Sequence, residues 1–149
     1  MTTKAAEALE RAAQRAAEER LSYRGALTPD ETWTLLQDDP RAKLVDIRSR
    51  EELALVGRIP GAIEIEIKRF PAWIDNDSFL PTVRERLSPD DLILLICRSG
   101  KRSHKAAEWL TREGFPNCFN VLEGIEGDRN EQSQRIVNGW KMRGLPWSQ

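Results

Sequence analysis

The sequence predicts an α/β protein in which a parallel sheet is covered by helices on both faces. Three observations carry that expectation. Short apolar runs of strand length alternate with helix-like stretches through most of the chain. The strongest run, residues 90–96 (DDLILLI), is apolar at consecutive positions, as a strand buried on both faces must be. Capping and turn residues fall between these runs, where element boundaries belong.

Taken in order, residues 3–21 carry seven alanines and no glycine or proline. Ala5, Leu9, Ala12 and Ala16 lie near helical spacing, so the spacing predicts an amphipathic helix with a thin apolar stripe, peripheral to the rest. A second helix starts after Thr28, which supplies an N-cap, with Pro29 in the first helical position and Glu31 closing a capping box. Residues 42–47 (AKLVDI) read as a buried strand, and Ser49 with Glu52 repeats the capping-box spacing at the head of a helix over 49–56. Pro60-Gly61 turns the chain into a strand within 58–67 (RIPGAIEIEI). Residues 77–87 predict a helix broken at Pro81. The central strand follows, then a helix over 103–115 stopped by Gly114, and a last strand within 118–124 (CFNVLEG). Each crossover is expected to be right-handed.

A chain of 149 residues is the size of one domain with its own core. Hydrophobic residues make up 40% and charged residues 32%, and the formal net charge is -1, so the totals point neither to disorder nor to a nucleic-acid surface. The five tryptophans, at 33, 73, 109, 140 and 147, are scattered as packing residues are, not as a stacking platform for single strands. No apolar stretch is long enough for a bilayer, and residues 1–20 lack the apolar centre of a secretory signal. A soluble, cytoplasmic protein without a membrane partner is therefore expected. Two cysteines, Cys97 and Cys118, are too few for a disulfide framework and make a poor zinc site.

The chemistry concentrates where the central strand ends. Cys97 stands at that point, and ligands in parallel α/β sheets bind beyond the carboxyl ends of the strands. The turn Arg98-Ser99-Gly100-Lys101-Arg102-Ser103 feeds a helix, so several backbone N–H groups and the positive helix end can converge on one spot. Arg98, Lys101 and Arg102 add three cations, and both effects favour the thiolate, making Cys97 a nucleophile without a histidine base. Gly100 allows the backbone to curl.

These residues, CRSGKRS at 97–103, together with LVDIRSREELALVGRIPGAIEI and the later glycines, resemble the rhodanese family of sulfurtransferases from about Leu27 to Pro146. The resemblance implies a three-layer sandwich, about five parallel strands with helices on both faces. It implies a cysteine that accepts a sulfur atom, carries it as a persulfide and passes it on. Cys97 matches that cysteine, and Arg98, Ser99, Gly100, Lys101, Arg102 and Ser103 match the loop that binds the anionic donor. Thiosulfate is the expected type of donor, and cyanide, a small thiol or a protein thiol the expected acceptor, with no metal or organic cofactor. The expected organisation is an N-terminal helical extension, 1–26, followed by the rhodanese-like domain, 27–149, with a polar insertion near 127–138.

Other readings stay beside this one. A sulfur carrier or redox-linked interaction module would load the same cysteine but unload only to a specific protein. Phosphatase or arsenate reductase chemistry is disfavoured by the same resemblance, since related phosphatases of similar fold place five residues between cysteine and arginine and only four separate Cys97 from Arg102. Cys118 reads as a packing residue, His104 as an exposed residue of the first helical turn, and Asp46 with Arg48 as a structural ion pair. Arg58 stands where the family pattern has histidine.

Overall fold

A computed structural model describes residues 2–149. In chain order it contains α1 (Thr3–Glu19), β1 (Gly25–Leu27), α2 (Pro29–Asp38), β2 (Ala42–Asp46), α3 (Arg50–Val56) and β3 (Ile63–Glu64). There follow β4 (Lys68–Arg69), β5 (Ile74–Asp75), α4 (Phe79–Arg86), β6 (Leu92–Ile96), α5 (Lys101–Arg112) and β7 (Cys118–Val121). Five strands form one sheet in the order β1-β7-β6-β2-β3, and every neighbouring pair is parallel. The α/β class and the five-stranded parallel sheet match the expectation.

Alternation along the strands divides the core in two. Leu92, Leu94 and Ile96 of β6 face one side with Leu44, Leu27, Leu35 and Trp140, while Ile93, Leu95 and Cys97 face the other with Val45, Phe79, Val83 and Leu110. All five β6 residues are buried, as a central strand requires, and each such side chain contributes about 1.5–3 kcal/mol. Helix α1 lies against α2 and β1, with Ala5, Ala8 and Ala12 in the first of these cores. Its close approach explains Gly25, where a Cβ would lie 2.8 Å from Ala12. Arg15 then joins α1 to the strand and helix beneath it, donating to the Ala26 carbonyl at 2.8 Å and to the Glu31 carboxylate.

Both expected capping boxes are formed, Thr28 with Glu31 and Ser49 with Glu52. Two expectations need correction. Pro81 does not break α4, because it occupies the first turn, where its missing N–H has no intrahelical partner to lose. The strand within 58–67 shrinks to Ile63–Glu64, although the amides of Ile65 and Ile67 still reach the carbonyls of Asp46 and Ile47. Strand β1 and the antiparallel pair β4-β5 have no counterpart in the sequence reading. They are two or three residues long, too short to show a period. Among the described residues, no helix is long and apolar enough to cross a membrane.

Candidate active site at the end of β6

The side chain of Cys97 continues the β6 alternation and is 1% exposed. Helix α5 begins immediately after the turn, with Gly100 as its N-cap in the left-handed region at φ 97°. No side chain of Gly100 can cap the helix, and the sulfur takes that place. The amides of Gly100 and Ser103 donate to Cys97 Sγ at 3.2 and 3.4 Å, and Ser103 Oγ lies 3.3 Å away. Orphan helix donors and the positive end of α5 therefore meet on one sulfur atom.

Ser103 is fully buried and its hydroxyl donates to Asn120 Oδ1 at 2.6 Å, while Asn120 Nδ2 donates to the Gly100 carbonyl at 3.2 Å. Asn120 of β7 thus ties the middle of the turn to its end. A hydroxyl carries a single proton, so Ser103 either donates to Asn120 and accepts from a thiol, or turns to donate to a sulfur anion. Asn120 lies in an otherwise apolar strand, and that polar interruption of CFNV is the signal that could have marked it.

Two of the three cations of the turn are engaged. Arg102 donates to both oxygens of Glu52 at 2.8 Å, and its guanidinium lies 5.2 Å from the Trp73 ring centre. Burial works against the Arg102 charge, but the hydrogen bonds and charge of Glu52, helped by Cys97 and Asp46, hold its pKa above the ordinary value. For Glu52 burial is again opposed by its partner, here Arg102 with Ser49, and the carboxyl ends below its ordinary value. Arg98 turns outward, its Nε 2.8 Å from Glu126. Lys101 is exposed. Ser99, Gly100 and Lys101 line an open cavity of about 710 Å³ with His104, Asn120 and Asp128.

The segment after β7 is fastened to the turn from behind. The amides of Ile125 and Glu126 donate to the carbonyls of Cys97 and Arg98, each at 3.0 Å. Gly124 makes this approach possible, since a Cβ there would lie 2.5 Å from the Arg98 backbone.

The remaining candidates fall elsewhere. His104 Nδ1 pairs with the Tyr23 hydroxyl at 2.6 Å, away from the sulfur. Burial pushes the Tyr23 phenol up to about 12. Cys118 packs in the core with its thiol directed at the Phe115 carbonyl, and burial pushes it up to about 12. Asp46 and Arg48 form a fully buried ion pair at 2.7 Å, and Arg48 also donates to the Gly57 carbonyl. Arg58 pairs with Glu64 at 3.1 Å, and its backbone is bonded to Ser148.

Comparison with known proteins gives this arrangement a family. The model of the rhodanese-like domain matches residues 28–131. The chain belongs to the rhodanese-like domain family. An uncharacterized RP600 homolog of Rickettsia rickettsii is 35% identical over 119 residues, covering 77% of this chain and 89% of that protein. The crystal structure of Rv0390 from M. tuberculosis is 37% identical with a TM-score of 0.78, covering 86% of this chain and 99% of that one. A rhodanese-like domain protein from Staphylococcus aureus is 27% identical with a TM-score of 0.55, covering 73% of this chain and 95% of that one. Membership of the rhodanese-like family supports a function related to sulfur transfer. The family match ends at residue 131, and Tyr23, which reaches His104 beside the turn, lies before its start.

Proposed function

We propose that the protein is a sulfurtransferase in which Cys97 takes the outer sulfur of an anionic donor such as thiosulfate, holds it as a persulfide and delivers it to cyanide or a thiol. The observation that carries this reading is the pair of amides, from Gly100 and Ser103, that donate to Cys97 Sγ. Donors fixed around a sulfur stabilise negative charge there without reorganisation during the reaction.

In the first step the Cys97 thiolate attacks the outer sulfur of thiosulfate. A new S–S bond forms, the donor's S–S bond breaks, and its electron pair leaves with sulfite. The charge is conserved: one thiolate and one dianion become one persulfide anion and one dianion. In the second step cyanide attacks the outer sulfur of the persulfide, giving thiocyanate and returning the thiolate. A thiolate acceptor follows the same course and leaves as a persulfide. Arg98, Ser99, Gly100, Lys101, Arg102 and Ser103 bind the donor anion, and Ser103 turns its hydroxyl to whichever sulfur carries charge.

The test is intact mass after incubation with thiosulfate. The natural chain gains a single sulfur atom that cyanide or a reductant removes, and the Cys97→Ser chain gains none. Equal gain in both would place the chemistry elsewhere.

A second reading, delivery to a specific protein thiol, is favoured by one feature. Phe70, Trp73 and Ile74 are exposed on the β4-β5 pair, and Trp73 lies beside Arg102 of the turn. Turnover separates the two readings: a small-molecule enzyme cycles on thiosulfate and cyanide, while a carrier loads once and waits for its partner.

A further inference from the structure

A second cavity, of about 330 Å³, lies between α3, the edge strand β3, the β4-β5 pair and the start of α4. None of its lining residues belongs to the turn at 97–103. Its wall carries four arginines: Arg48 and Arg50 from the β2-α3 junction, Arg58 from the loop after α3, and Arg69 from β4. We propose that this cavity binds a phosphate group, free or carried by a small molecule, at a place separate from the cysteine turn.

The carboxylates at this wall do not balance the arginines. Asp46 holds Arg48 at 2.7 Å, and Glu64 holds Arg58 at 3.1 Å. Glu66, also on the wall, accepts the Arg50 amide at 2.9 Å. Among the described residues neither Arg50 nor Arg69 forms an ion pair, so four guanidinium groups stand against three carboxylates that are already engaged. The hydrogen bonding leaves the same gap. Arg48 is 0% exposed; its Nε and Nη2 donate to Asp46, and Nη2 also to the Gly57 carbonyl, while Nη1 is buried without a partner. The planar guanidinium puts Nη1 on the edge away from Asp46. A buried charged donor left unpaired is costly, and an oxyanion supplies the acceptor it lacks.

The start of α4 adds neutral donors to the same space. Ser78 is the N-cap of α4, yet its hydroxyl makes no capping bond, and no acidic residue lies in the first turn. Ser78 and Thr82 both line the cavity, so an uncapped positive helix end and the arginines share one opening. The place in the fold agrees. Strand β2 ends at Asp46 and β3 at Glu64, and Arg48, Ile65 and Glu66 follow them directly. The cavity therefore lies beyond the carboxyl ends of two parallel strands, where such sheets take their ligands. Guanidinium forks and hydroxyls match the oxygens of a tetrahedral dianion, while Leu53 and Ile65 give an apolar flank for the body of a small phosphorylated molecule. Cys97 is not on this wall, so an anion held here is not the reacting sulfur donor.

The site stands apart from sulfur transfer by Cys97, so it is tested in the Cys97→Ser chain as well as in the natural one. Inorganic phosphate and ribose 5-phosphate are titrated calorimetrically, with ribose as the blank. Phosphate is expected to bind to both chains alike. Arg69→Gln and Arg50→Gln, both at exposed positions, should each weaken it about tenfold. Lys101→Gln, in the turn, should leave the affinity unchanged. Tighter binding of ribose 5-phosphate than of phosphate would identify a phosphorylated small molecule as the occupant, and the reverse order the free ion. No binding of either at about 10 mM, by a chain that circular dichroism shows to be folded, overturns the site. So does phosphate binding that survives both arginine substitutions, or that Lys101→Gln abolishes, because the anion would then lie at the turn.

Discussion

Glu52 and Arg102 come from different helices and meet through two hydrogen bonds of 2.8 Å, one to each carboxylate oxygen. The same Glu52 accepts the Ser49 amide at 3.0 Å, so one carboxylate caps α3 and anchors the reactive turn at once. The pair is largely shielded, with side chains 17% and 22% exposed. Glu52→Gln leaves the Arg102 charge without its counterion and is expected to lower stability by about 2–3 kcal/mol, read as a shift in the urea midpoint. Adding Arg102→Gln should restore part of the loss.

The same pair sets a pH dependence. The folded Glu52 carboxyl ionises below its ordinary value of 4.5, mainly through Arg102 acting against burial. Its stabilisation is therefore fully present above about pH 4.5 and is lost as the pH falls through the folded value. The difference in urea midpoint between the natural chain and Glu52→Gln should be constant from pH 7 to about 5 and shrink below that. A difference that grew on acidification would contradict the arrangement.

Asn120→Ala removes the acceptor of the Ser103 hydroxyl and the donor to the Gly100 carbonyl. Two buried groups lose a partner, and a cost of about 2–6 kcal/mol in stability is expected, at about 1–3 kcal/mol for each group. Persulfide loading measured by mass should also slow, since the turn loses its tie to β7.

Two glycines separate strain from collision. Gly100 has φ 97°, but a Cβ there would come no closer than 3.6 Å to any neighbour, whereas at Gly124, φ 65°, it would lie 2.5 Å from the Arg98 backbone. Gly100→Ala is expected to cost about 1–2 kcal/mol from the left-handed conformation alone. Gly124→Ala adds overpacking of about 1–3 kcal/mol and displaces the turn. Thermal denaturation of the two variants gives the order, with Gly124→Ala the less stable.

Cys118 serves as an internal control on thiol reactivity. Burial pushes it up to about 12, so at pH 8 to 9 almost none of it is thiolate. The folded Cys97→Ser chain exposed to iodoacetamide in that range should show no adduct by mass, and should gain one on unfolding in urea.

What could be read from the sequence is what depends on near neighbours. Thr28 with Glu31, and Ser49 with Glu52, lie three residues apart and both boxes formed. The unbroken apolar run at 92–96 announced the central strand. Contacts between distant positions were invisible: Ser103 with Asn120, Arg102 with Glu52 and Tyr23 with His104 join residues that only the fold brings together. The cations of the turn were legible, but their carboxylate partners were not, so the sequence implied a freer positive charge than the structure contains. Pro81 was misread because its effect depends on its place in the helix, and the helix start after Ser78 carries no side-chain cap to mark it.

The bonds from Ile125 and Glu126 to the carbonyls of Cys97 and Arg98 have a geometric consequence. A planar trans peptide points its C=O and its N–H in opposite directions, so fixing a carbonyl fixes the amide one residue on. With those two oxygens held against the arm, the N–H groups of Arg98 and Ser99 face the opposite way. The strap behind the turn thus decides which side of it is electropositive, before any anion arrives.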